Sequence, residues 1–203
     1  MELSSITPEP RALRALSHPV RLRLLGLLRT DGPSTASALA TRLGLNSGAT
    51  SYHLRQLAQH GFVADDEGRG NGRERWWRAV HQTTRTSDDD VVDQADRDAF
   101  DAYLQAVAMV YTERLQRAVE ERPLLPVAWR GTTDLSDWHV RLTPARARQL
   151  VDAIHEVIEG WPEDAEDPDD PDDPEGATEE FVVCVQGFPQ PGRVAAVQDE
   201  APQ

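Results

Sequence analysis

A chain of 203 residues with a formal net charge of −14 has, taken whole, the wrong sign for a nucleic-acid partner, and its single cysteine excludes an intrachain disulfide or a zinc cluster built from thiolates alone. No apolar run approaches the roughly 18 residues of a membrane span and the N-terminus carries no apolar signal region, so the sequence reads as cytoplasmic with no membrane partner. The distribution of charge reverses the first impression: residues 1–85 hold 12 Arg against 7 acidic residues, residues 86–203 hold 9 Arg against 28, and the basic half is a candidate nucleic-acid footprint.

In chain order, Leu13 and Leu16 share one face of a short helix that Ser17-His18-Pro19 ends. Pro19 opens the next helix, because a first helical turn has no use for the missing N–H. Val20, Leu24, Leu27 and Leu28 give that helix a buried stripe, and Asp31-Gly32-Pro33 stops it. Thr35 is placed to cap a third helix with Ala36, Leu39, Ala40 and Leu43 inward. Gly44 allows the tight turn between the two helices of a helix-turn-helix. Asn46 or Ser47 caps a fourth helix that buries Thr50, Leu54, Leu57 and Ala58 and ends at Gly61. Phe62-Val63-Ala64 then reads as a strand and residues 75–80 as its partner. One of Trp76 and Trp77 anchors this hairpin to the core, and the link between its strands, with three glycines and two arginines, has the composition of a wing.

A helix that reads bases needs one buried face and one face of short or planar polar groups, presented to a major groove about 12 Å wide. Setting aside the buried positions leaves Ser47, Gly48, Ser51, Tyr52, Arg55 and Gln56 outward, with His53 and Gln59 on the flank, where His53 is either a base contact or a packed residue. Arg55 and Gln56 suit guanine and adenine edges or a phosphate, and Tyr52 suits a phosphate or a thymine methyl. Arg69, Arg73 and Arg75 are placed to follow the backbone or the adjacent minor groove. Arg21 and Arg23 are either solvated or reach the DNA backbone, and His18 reads as a cap or packing residue. The segment GRGNGR (68–73) is not a nucleotide-phosphate loop, since no Lys-Ser/Thr follows and it opens a strand rather than a helix.

Residues 88–122 read as one long helix whose Phe100, Leu104, Val107, Tyr111, Leu115 and Ala118 form a continuous apolar stripe. The stripe exceeds what a small domain covers, which points to pairing with the same helix of a second protomer. Beyond it, residues 124–203 form a β-α-β unit: 138–142 alternates as a strand, Thr143-Pro144 opens a helix burying Ala147, Leu150, Val151, Ile154, Val157 and Ile158, and Phe181, Val183 and Val185 mark a returning strand. Residues 163–180 carry 11 acidic residues and three prolines, a composition for a solvated, disordered connection, without the spacing of an EF-hand. Cys184 sits in an apolar run and reads as a small core residue.

The segments ALSHPVRLRLLGLL (15–28), ALATRLGLNSGATSYHLRQLAQHGFV (38–63) and GRERWWRAV (72–80) together resemble the winged helix-turn-helix of ArsR-type transcriptional regulators, over residues 8–82. The resemblance implies a symmetric homodimer, a two-half-site operator on double-stranded DNA, and repression. The metal-sensing members of that family carry a Cys pair near the second or third helix or His and carboxylates on the dimer helix; this chain has no Cys in either place and no His between 88 and 122. The expectation is therefore a mainly α protein with small β elements: a DNA-binding regulator at 8–82, a dimerisation helix at 88–122 and a C-terminal unit at 124–203. No catalytic residue, metal or cofactor is assigned, and no small-molecule effector is identified. The alternative is a winged-helix scaffold that serves as a protein-interaction module, which the outward arginines argue against.

Overall fold

The computed structural model describes residues 4–66, 68–69, 74–86, 91–162 and 178–194, in two units that meet in sequence at Gly131 and Thr132. In the first unit, β1 (Ser5–Ile6) precedes α1 (Pro10–Leu16), α2 (Pro19–Thr30), β2 (Ser34–Thr35), α3 (Ala36–Leu43), α4 (Ser47–Gln59), β3 (Val63–Asp65), β4 (Trp76–Ala79), β5 (Thr83–Thr84), α5 (Gln94–Glu121) and the short α6 (Val127–Arg130). The helix starts are chemical. His18 Nδ1 accepts from the Val20 N–H at 3.2 Å, Thr35 Oγ1 from Ala38 at 3.2 Å, and Asn46 Oδ1 from Ala49 at 2.7 Å. Gly44 takes the left-handed conformation, φ 66°, that ends α3 and turns the chain into α4.

The leucine pattern closes on itself. Leu13 and Leu16 of α1, Leu24, Leu25 and Leu28 of α2, Leu39 of α3, and Leu54 and Leu57 of α4 share one core with Phe62, Val63 and Trp77. Val20 and Leu27, expected inside α2, lie at the margin of that core, and Leu25 is buried instead. Trp77 is the tryptophan that anchors the hairpin. Strands β2, β4 and β3 form an antiparallel sheet in that order, with Val63 opposite Ala79 and Ser34 opposite Trp77. The pairing of β2 is a non-local addition to the expected hairpin. A parallel pair, β1 with β5, likewise carries the unit beyond both ends of the expected 8–82 span. The architecture is an α+β winged helix-turn-helix.

The long helix starts later than residue 88: α5 begins at Gln94, because the Asp93 carboxylate accepts the Asp96 N–H at 2.8 Å and fixes the first turn there. It lies along α1 and α2. Ala99, Tyr103 and Ala106 form its buried line, with Phe100 and Val107 half-buried against the core.

The second unit contains α7 (Pro144–Glu159), capped by Thr143, whose Oγ1 accepts the Arg146 N–H at 3.4 Å. The segments 138–142 and 181–185 form no ladder, so the two expected strands are absent among the described residues. Two short strands and one helix cannot seal a core, and no described residue of this unit is buried. Cys184 is exposed rather than packed, again because there is no interior to receive it. Of the acidic tract, residues 163–177 lie outside the described residues.

Leu54 is fully buried between α4 and the rest of the core. Leu54→Ala leaves a cavity there and lowers unfolding free energy by about 2–5 kcal/mol, measurable by urea unfolding. A loss below about 1 kcal/mol would contradict this packing.

Candidate nucleic-acid interface

Burial of Thr50, Leu54 and Leu57 sets the rotation of α4 about its own axis. Ser47, Gly48, Tyr52 and Arg55 are exposed, and Ser51, His53 and Gln56 are half-buried. Gly48 at the helix start is open enough that an added Cβ meets nothing closer than Asn46 Oδ1 at 3.4 Å. Tyr52 is 55% exposed, and the Gln56 amide donates to Gln59 Oε1 at 3.1 Å. This surface combines hydroxyl, amide and guanidinium groups with a small residue at the helix entrance, the chemistry that base edges and phosphates accept.

The hairpin adds cations, two of them partly engaged. Arg75 pairs with Asp65 at 2.6 Å and lies over the Trp77 ring at 4.1 Å, so it braces the base of the wing. Arg69 is exposed and only loosely paired, 3.5 Å from Asp66. Arg73 lies outside the described residues.

His53 sits apart from this outward set. Its ring meets that of His18 at 4.6 Å between centroids and that of Tyr52 at 5.5 Å, so it faces the start of α2. Burial, then the neighbouring His18 and Arg21, hold its pKa below the usual histidine value. His18 is lowered by burial and by Arg21, against the opposing effect of a backbone hydrogen bond. The sequence contains no signal that would join His18 and Arg21 to Tyr52 and His53, because the two pairs lie about thirty residues apart and meet only when α2 packs on α4.

Arg29 has a different, structural setting: its guanidinium donates to the His81 carbonyl and to Thr84 Oγ1, both at 2.8 Å, and ties α2 to β5. Burial and then Tyr111 push the Tyr103 hydroxyl up to about 12, so it stays neutral inside α5's inward face. Among the described residues no group of three or more His, Cys, Asp or Glu side chains is placed to share a metal ion. None of the described helices is long and apolar enough to cross a membrane.

Residues 16–65, from the last turn of α1 through β3, match the family model of a helix-turn-helix domain. The chain is also similar to the HTH-type transcriptional regulator YgaV of Escherichia coli (strain K12), 40% identical over 52 residues, which are 25% of this chain and 52% of that protein. The chain thus spans about half the length of the curated relative it matches. The family match takes in α4 and stops short of β4 and α5.

The histidine pair has a consequence for stability. Both imidazoles have folded-state pKa values below the unfolded value of 6.5, so their contribution is complete above that pH and is lost as pH falls through the lowered values. The expected outcome is a melting temperature that declines with acidification from about pH 7 to 5, less steeply in His53→Gln. Equal slopes for the two proteins would remove the pair as a cause.

Proposed function

We propose that this chain is a homodimeric, sequence-specific DNA-binding transcriptional regulator of the ArsR type, a repressor acting on a two-half-site operator. The observation that carries the reading is the outward face of α4, where Ser47, Gly48, Ser51, Tyr52, Arg55 and Gln56 surround a helix whose opposite side is fully committed to the core. The helix-turn-helix match over 16–65 and the similarity to an HTH-type transcriptional regulator support the same reading. In it, Arg55 and Gln56 read base edges, Ser51 and Tyr52 contact base or phosphate, and Arg69, Arg73 and Arg75 of the wing hold the backbone.

The dimer is supported by α5. The apolar stripe divides between two jobs: Phe100 and Val107 lean on the core, whereas Leu104 and Leu115 are 44% and 46% exposed. At 100° per residue these two leucines, Ala108, Tyr111 and Val119 fall on one strip beside the inward face. A second α5 laid along that strip covers it and sets two α4 helices on one duplex.

The DNA reading is tested on a site selected from random duplexes. Arg55→Ala weakens that site by about 1–3 kcal/mol and relaxes preference at one position. Arg69→Ala weakens all duplexes alike and lowers the salt slope by about 1 per protomer. Full affinity in both variants would place neither helix nor wing at the DNA. For the dimer, the double variant Leu104→Asp, Leu115→Asp sediments as a folded monomer, since both side chains are exposed within one protomer. A persistent dimer would move the interface elsewhere.

A further inference from the structure

Carboxylates of the first unit hold several of its arginines. Arg23 pairs with Glu113, Arg42 with Asp31, Arg69 with Asp66 and Arg75 with Asp65. Arg21, in the first turn of α2, has no carboxylate partner among the described residues, and its Nε is enclosed without an acceptor. The groups acting on its charge are burial, which lowers its pKa, and Tyr52, which raises it. Tyr52 belongs to the outward face of α4. The enclosed His53 Nδ1 also has no partner among the described residues.

We propose that Arg21 and Tyr52, backed by the His18–His53 pair, form a seat for one backbone phosphate of duplex DNA, so that α2 as well as α4 holds the strand. The proposal rests on the DNA-binding reading above and adds a contact to it. A partly desolvated guanidinium without an anion is unfavourable, and a backbone phosphate supplies the counter-charge that the described carboxylates do not. The positive end of the α2 dipole lies at the same place. The local N–H groups of Val20, Arg21 and Leu22 are already taken by His18, so the field contributes and the amides do not.

The seat couples binding to protons. The charged and titratable groups acting on the imidazoles are Arg21 from α2 on both and His18 on His53; Tyr52 from α4 contacts the His53 ring, and the Arg23–Glu113 pair toward α5 is not among the groups acting on either. All of the fixed charge there is positive, which disfavours imidazolium in the free protein. A phosphate opposite Arg21 offsets that charge and raises the His53 pKa, so DNA binding takes up a proton there, while His18 stays neutral as the acceptor of the Val20 N–H. Affinity therefore rises as pH falls, by no more than about tenfold per pH unit per proton taken up.

The test uses the full chain and a fluorescent mixed-sequence duplex of about 30 base pairs, followed by anisotropy from about 50 to 200 mM salt. Arg21→Gln lowers the salt slope by about 0.9 per protomer, and Arg21→Lys restores it. In His18→Asn, His53→Gln, which keeps a capping side chain at the start of α2, the acid-enhanced part of binding disappears. Circular dichroism melts establish that each variant is folded, and if Arg21→Gln is not, the Arg21→Lys and histidine variants decide. An unchanged slope in Arg21→Gln, with a reduced slope in Arg55→Ala, would overturn the seat and leave the DNA-binding reading standing. An acid response that survives the histidine changes would also overturn it. Competition by inorganic phosphate at constant ionic strength would make it a site for the free ion and overturn the assignment to DNA. Absence of any duplex binding by the unaltered chain would instead overturn the function itself, and the seat with it.

Discussion

The contact between the inner faces of α2 and α4 governs the first unit. Leu24, Leu25 and Leu28 from one helix and Leu54 and Leu57 from the other are all nearly or fully excluded from water. Burying a leucine side chain is worth about 1.5–3 kcal/mol, so this group alone rivals the net stability of a small domain before conformational entropy is charged against it. The same contact determines orientation. Helix α4 has one apolar stripe at helical period, and once that stripe meets α2 its remaining surface has a single possible direction. Gly44, in the left-handed conformation, supplies the tight turn this requires between α3 and α4.

Electrostatics on this surface is local. The chain carries a net charge of −14, yet the described cations near α4 and the wing belong to the half that carries an excess of arginine. At about 0.1 M salt the screening length is roughly 10 Å, so a phosphate near α4 responds chiefly to the charges within that distance of it. In the wing, Arg69 and Arg75 are held by carboxylates of their own unit, which sets their geometry and reduces their net field. Arg21 differs because its environment is Tyr52 and two histidines.

Helix α5 carries two kinds of packing on adjacent sides. Its inward line uses Ala99 and Ala106, small enough for close approach to α1 and α2, with Tyr103 between them. Its neighbouring strip uses the larger Leu104 and Leu115, which the unit leaves in water. The Arg23–Glu113 pair links α2 to α5 beyond the end of the inward line. A helix rigidly joined to α2 by both packing and charge transmits its own position to α4, so the geometry of two paired α5 helices would fix the separation of two α4 helices.

Local chemistry made much of the first unit legible in the sequence. The caps at Thr35 and Asn46, the left-handed Gly44, the prolines at helix starts and the 3.6-residue leucine period each act within a few residues, so they survive without knowledge of the fold. The outward set on α4 followed from subtraction of its buried stripe, which is also local. What only the tertiary structure decided depends on residues distant in the chain. The stripe on α5 looked continuous, and only the presence of α1 and α2 divided it into an inward line and an exposed strip. The third strand Ser34–Thr35 and the pairing of Ser5–Ile6 with Thr83–Thr84 carry too little pattern in two residues each to be seen before their partners are in place. Alternation at 138–142 and 181–185 is a strand signal that requires a neighbour to become a strand, and this unit provides none among its described residues. His53 could be placed on the flank of α4 but not against His18, because that contact exists only through the packing of one helix on another.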